Sequence, residues 1–338
     1  LSLLIGVAMA AAGGGDAAMG AIMAGQRAAM GKYLAFNRTQ ESSADAAGAQ
    51  FLSDAGITGK GSLEFFGKLL NQEYRYGYSQ SDEAGFYRTH PLSGDRISAL
   101  REVYEKDAAW DRPANARNQA NFERVKAKLV GYIAKPSATL RDYPESDRTV
   151  PALYARAYAY HQNARVDRAL DAADQLLAKD PDDPYFLELK GQVLLESGRP
   201  LEALEPLRRA TVLTNAEPLI ASLFGHALIA TEDDANFAEA ERVLRAAVGR
   251  DRRNPFAWYQ LGVVYAARGD TPRARLASAE QQVMSGQYGL ALRSAQAAEH
   301  GLERGTPDWI RAQDIGMQAR ALLERQCEME RGRNCAPG

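Results

Sequence analysis

Apolar residues recur along this chain at helical intervals, and nowhere do they alternate with the period of two that marks a half-buried strand. The pattern predicts a largely all-α protein. In FERVKAKLVGYI (122–133) the apolar positions fall at i, i+3, i+4 and i+7, which predicts one amphipathic helix. Residues 31–104 read as helices separated by loops at AGITGKG and RTHPLSGD. From Asp107 to Pro151 the chain is polar and punctuated by Pro113, Pro136 and Pro144, so 107–150 reads as a connector holding that single helix. The opening LSLLIGVAMAAAGGGDAAMGAIMAG is apolar and Ala-rich but broken at Gly13–Gly15 and Asp16. A membrane-spanning helix needs about 20 apolar residues, so a buried, Ala-rich helical hairpin is expected here instead.

Beyond Pro151 the pattern repeats. Ala157 and Gly191 are 34 residues apart, as are Gly191 and Gly225, and as are Ala169 and Ala203. The next small residue, Ala240, follows Ala203 by 37. The three extra residues, in the acidic stretch Thr231–Ala235, are expected to bulge the third hairpin. Gly262, Tyr265 and Ala274 mark a fourth unit, and Tyr288 with Ala291 a closing half-repeat. Small residues at such positions let two helices cross closely, since a larger side chain would force the axes apart. A single helical hairpin cannot bury its apolar face alone, so several must stack. This is the signature of a tetratricopeptide-type α-solenoid over 151–302, followed by a C-terminal helix and tail at 303–338. Pro181 and Pro255 fall at the passages between hairpins, where helices stop.

Composition and charge narrow the function. A hydrophobic fraction of 46% supports real cores. A net charge of -2, without blocks of like charge, gives no electrostatic reason to expect nucleic acid or an anionic membrane as the main partner. The two cysteines, Cys327 and Cys335, form no CxxC pair. They could close a small disulfide loop in an exported protein or remain two free thiols on the tail. No Lys or Arg precedes Arg27, so the basic region of a signal peptide is absent from the opening. A chain that starts on Leu1 inside an apolar segment is expected to be a fragment.

Two stretches carry candidate chemistry. In RTQESSADAAGAQF, helical geometry puts Arg38, Glu41 and Asp45 on one face. Taken alone, this is a solvated helix with one i, i+3 ion pair of about 0.2–0.5 kcal/mol. In FYRTHPLSGDRISALREVY, Pro91 holds His90 extended just before a helix that carries Arg96. His161, His226 and His300 lie in the repeats at no metal-ligand spacing and read as structural or solvent-facing.

Together, R-x-x-E-x-x-x-D, the FFGKL helix and T-H-P-x-x-x-x-R resemble zinc metallopeptidases of the CAAX-prenyl-protease and HtpX type. The likeness is greatest to the periplasmic members that carry tetratricopeptide repeats after the protease domain, and it covers nearly the whole chain. The resemblance implies that 1–106 is the C-terminal part of a helical zincin-type domain, and that one zinc ion serves the intact protein. Glu41 would be a metal ligand, and Asp45 would orient a histidine ligand by a hydrogen bond. His90 would be a removable fourth ligand or a donor to the oxyanion, and Arg96 would support that loop or the oxyanion. It further implies proteolytic quality control of envelope proteins in the periplasm. The repeats would recruit protein or peptide substrates or an outer-membrane assembly machinery, with room for peripheral membrane contact.

One departure stands out. H-E-x-x-H is missing, because no histidine precedes His90. A catalytic zinc needs three protein ligands and an open position. Only Glu41 and His90 are candidates here, so the chain by itself is expected to be inactive, truncated just after the motif. The competing reading is a non-catalytic repeat scaffold that binds partner proteins. A membrane-anchored protease with 1–26 in the bilayer fits less well, because Gly-Gly-Gly-Asp interrupts the apolar run.

Overall fold

The computed structural model describes residues 15–76 and 93–329. Among these residues all regular structure is helical, and the chain divides into two compact units, Leu1–Ala120 and Asn121–Gly338.

In the first unit, α1 (Gly15–Asp54) runs 40 residues without a break, which is about 60 Å of helix. No proline interrupts it, and alanine supplies the propensity. The expected hairpin at the N-terminus is therefore corrected from Gly15 onward: residues 15–26 continue directly into the helix that bears Glu41. Nor is this segment largely buried. Ala18, Leu34 and Ala49 are buried, but Met19 and Phe36 are both 60% exposed. Then follow α2 (Lys60–Arg75) and α3 (Ser93–Glu105). Ala49, Leu63, Phe66, Leu100 and Tyr104 form a small shared core, with Trp110 packed on it. Polar ties fix the turns around that core: Ser53 donates to Asp107, and Thr58 Oγ1 donates to the Trp110 carbonyl at 2.9 Å.

The second unit is a helical stack. The expected amphipathic helix is longer than its apolar pattern, α4 (Ala116–Ile133), and a second short helix, α5 (Pro136–Asp142), follows it. Their region reads as a connector because it is polar, yet from Asn121 on it packs as the first layer of the stack. Gly131 explains how: a Cβ placed there would lie 2.6 Å from the Ala155 carbonyl oxygen, so only glycine allows this backbone approach. Arg124 completes the join. It donates to both Asp183 oxygens and stacks 4.4 Å from the Phe186 ring centroid.

The repeats are α6 (Val150–Gln162) with α7 (Val166–Lys179), α8 (Pro184–Glu196) with α9 (Pro200–Leu213), α10 (Pro218–Ala230) with α11 (Asp234–Arg250), and α12 (Pro255–Ala267) with α13 (Thr271–Met284). Small residues sit at the crossings as their spacing predicts. A Cβ at Gly225 would lie 2.5 Å from Leu244 Cγ, and Leu244 is itself fully buried. The three extra residues do not bulge. They extend α11 to 17 residues where α9 has 14, because almost one more helical turn satisfies their backbone groups internally and a loop would not. Pro255 falls at the passage from α11 to the next hairpin, where it starts α12. The first helical position leaves its N–H unpaired in any case and suits proline's fixed φ.

The largest difference lies at the end of the array. Within hairpins the turns are 163–165, 197–199, 231–233 and 268–270, each with its middle residue at positive φ: Ala164, Gly198, Glu232 and Gly269. The turn 285–287 is of the same kind, with Gly286 at φ 73°. Thus α13 closes one hairpin and opens the next, pairing with α14 (Tyr288–Gly301). The stack does not end on a half-repeat. It continues into α15 (Pro307–Met329), whose Ile315 and Ala319 share a core with Ala279, Ala291 and Ala295.

Candidate functional site

Glu41 and Asp45 lie one turn apart on α1, as their spacing requires. Arg96 is the fourth residue of α3. Tertiary packing brings them together. Arg96 Nε and Nη2 donate to the two Asp45 oxygens at 2.7 and 2.6 Å, and Nη2 lies 3.7 Å from Glu41 Oε2. From α2, the Phe66 ring lies under the guanidinium at 4.2 Å. Ser93, buried at the start of α3, donates to Glu73 of α2 at 2.8 Å, which fixes where Arg96 emerges. Three helices therefore meet on one cation.

The Asp45 and Arg96 side chains are only 16% and 18% exposed, whereas Glu41 is 32% exposed. The hydrogen bonds that Arg96 donates to Asp45 raise its pKa above the ordinary value, against the effect of burial, so the guanidinium stays charged. Both Asp45 oxygens are thus taken up by Arg96, and Glu41 keeps the more open carboxylate. The sequence marks all three residues; what it does not reveal is that Arg96 clasps Asp45. His90 falls outside the described residues.

The described residues alone do not make a catalytic zinc site. Glu41 is a suitable oxygen ligand, but Asp45 spends both oxygens on Arg96, and no group of three His, Cys, Asp or Glu capable of holding a metal occurs among the described residues. No chemical step through a metal follows from this geometry. The repeat histidines are structural in character. His161 Nε2 pairs with Glu196 Oε2 at 2.7 Å, His226 packs edge-on against Phe256, and His300 Nδ1 bonds Gln296 O of its own helix at 2.7 Å. Cys327 lies near the end of α15, and Cys335 falls outside the described residues. No helix among the described residues is long and apolar enough to cross a membrane.

The repeats also hold a groove of about 580 Å³ between α11, α12, α13 and the start of α15. Sequence periodicity marks Tyr265 there as a packing residue and gives no sign of a cavity. The only hint was the surplus of arginines between Arg245 and Arg273.

Residues 1–104 match the profile of Peptidase family M48, and residues 154–218 and 232–286 match a tetratricopeptide repeat profile. The beta-barrel assembly-enhancing protease of Escherichia coli (strain K12) is 25% identical over 326 residues, covering 94% of this chain and 64% of that protein. The protein of the same name from Yersinia pestis is 25% identical over 301 residues, covering 86% of this chain and 59% of that protein. Among solved structures, MamA 41-end from Desulfovibrio magneticus RS-1 aligns at 20% identity with a TM-score of 0.40, over 50% of this chain and 94% of that one. The chain spans less than two thirds of the length of these curated relatives. It is a Peptidase family M48 region followed by tetratricopeptide repeats, homologous to the beta-barrel assembly-enhancing proteases.

Proposed function

We propose that the intact protein is a zinc-dependent metalloendopeptidase of the periplasm that cleaves envelope proteins as a quality-control step. The observation that carries this reading is the convergence of Glu41, Asp45 and Arg96 within a Peptidase family M48 region that continues into a repeat array. Glu41, the more open carboxylate of the cluster, is the zinc ligand supplied by this chain. Asp45 and Arg96 hold the helix pair on which that ligand and the His90 loop depend. His90 acts beside the metal, as a displaceable ligand or as a donor to the oxyanion. Histidines able to complete a three-ligand site are not found before His90, so residues 1–338 alone are inactive and the rest of the ligand set comes from outside them. The repeats hold protein segments for cleavage or for delivery to an outer-membrane assembly machinery; the relatives' name, beta-barrel assembly-enhancing protease, supports this reading.

The test is zinc stoichiometry of the full-length protein. We expect one zinc per chain, lost on Glu41→Gln with no loss of helicity. Unchanged zinc content in Glu41→Gln would remove Glu41 from the ligand set. Peptide hydrolysis by residues 1–338 alone would overturn the assignment of the missing ligands.

A further inference from the structure

The first hairpin of the repeats is packed differently from the others. Farther along, each hairpin rests on a full second helix of the one before, as α8 rests on α7 with its 14 residues. The first helix of the array, α6, rests instead on α5, which has only seven. Residues 143–149 follow α5, and between them, α6 and α7 lies a pocket of about 260 Å³.

Arg156 of α6 lines this pocket and is only 5% exposed. A buried charge is ordinarily paired. The partners of Arg156 are backbone carbonyls alone: Nη1 donates to Pro144 O at 2.6 Å and to Tyr143 O at 3.3 Å. Nε and Nη2 bond nothing among the described residues, and neither is sealed from solvent. Two more guanidiniums share the pocket. Arg148 donates to Gln175 Oε1 at 3.1 Å and, like Arg156, has no carboxylate partner among the described residues. Arg168 pairs with Glu145. The acids of the lining are fewer and already engaged. Glu145 also accepts from the Tyr160 hydroxyl at 2.8 Å, and exposed Asp171 accepts from the Gln175 amide at 2.8 Å. Asp147 lies outside the lining, near enough to Arg156 to feel its charge, and accepts the Thr149 N–H at 2.9 Å. Three cations thus line the pocket against two carboxylates, and the buried cation is one of the two that lack a carboxylate partner.

The donor set selects the ligand. A planar carboxylate is satisfied by one guanidinium fork, whereas a phosphate carries enough oxygens for several. The pocket is smaller than the range of about 300–1,000 Å³ that holds drug-sized ligands, so it has room for a phosphate with a small substituent. We propose that this pocket binds a small phosphate-bearing anion, with Arg148 and Arg156 as its main partners. The bound anion would join residues 143–149 to α6 and α7 and stiffen that end of the stack. This inference goes beyond the peptidase reading and does not rest on it.

The experiment titrates residues 1–338 by calorimetry with inorganic phosphate, glycerol phosphate and acetate at one fixed low salt concentration. Phosphate and glycerol phosphate should bind with Kd on the order of 0.1–1 mM, and acetate about ten-fold more weakly or less. Arg148→Gln and Arg156→Lys should each weaken phosphate binding about ten-fold. Arg141→Gln, at an exposed arginine outside the pocket, should leave it unchanged. Should Arg156→Lys fail to fold, Arg148→Gln decides alone, since Arg148 is exposed and a glutamine there can still donate to Gln175. No phosphate binding at about 10 mM, acetate bound as tightly as phosphate, or Arg148→Gln binding as well as the parent chain overturns the proposal. Sedimentation with phosphatidylcholine vesicles containing phosphatidic acid separates the sources of the phosphate. Co-sedimentation that glycerol phosphate reverses assigns the site to a lipid headgroup, and its absence assigns the site to a soluble phosphate.

Discussion

The two units are built on different physics. In the repeats, fully buried small residues alternate with fully buried leucines along a continuous core, and each helix is held by its neighbours over its length. In the first unit, α1 leaves Met19, Tyr33 and Phe36 exposed, the shared core is a handful of side chains, and one guanidinium ties three helices. Dispersed packing tolerates an insertion, as the lengthened α11 shows. A charge cluster does not, since its contribution depends on particular atoms meeting.

Three perturbations separate the two designs. The largest effect should come from Leu244→Ala, which opens a cavity beside Gly225 and should cost about 3 kcal/mol in urea denaturation of the repeat unit. Leu63→Ala in the smaller core should cost about half as much, because its surroundings can collapse. Equal losses at the two sites would break the contrast. Next, Arg96→Met should cost about 2 kcal/mol by stranding a half-buried Asp45 carboxylate. Adding Asp45→Asn should recover most of that loss, which a double-mutant cycle would measure as coupling. An additive cycle would mean that packing, not charge, governs the first unit as well.

The smallest effect is a dependence on pH within the repeats. Burial depresses the His226 pKa below 6.5, against a smaller opposing pull from Glu196. A depressed histidine contributes stability that is present above its unfolded pKa and is lost as pH falls through the folded one. Glu196 is held low first by its hydrogen bond from His161, and Glu239 first by Arg208. Their contributions are present above the ordinary carboxylate range and fade below it. The thermal midpoint should therefore be flat above about pH 7, drop on the order of 2 °C towards pH 5.5, and fall faster below about pH 4.5. His226→Gln should remove the first step alone. If that step persists in His226→Gln, the histidine is not its source.

Much of the repeat unit is legible in the sequence because its contacts are local. A 34-residue spacing of Ala157, Gly191 and Gly225 records the same crossing three times, and neighbouring hairpins meet in chain order. The same local logic misleads where an element belongs to two neighbours. Pattern alone assigns α13 to one hairpin and leaves α14 as a remnant, although the turn at Gly286 makes α13 a member of both. The polar α4 likewise reads as a connector, since its main anchor is the long-range Arg124–Asp183 pair and not an apolar face.

The sequence by itself determined the helical class, the repeat register, the residue types of a peptidase region and the shared face of Glu41 and Asp45. Periodicity and motif spacing are properties of consecutive residues, and helical geometry translates them directly. The tertiary structure alone decided that Arg96 closes on Asp45 across 51 positions. It also decided that the extra residues of the third repeat become helix. Those outcomes depend on which distant surfaces meet and which backbone groups find partners there, and no interval along the chain encodes either.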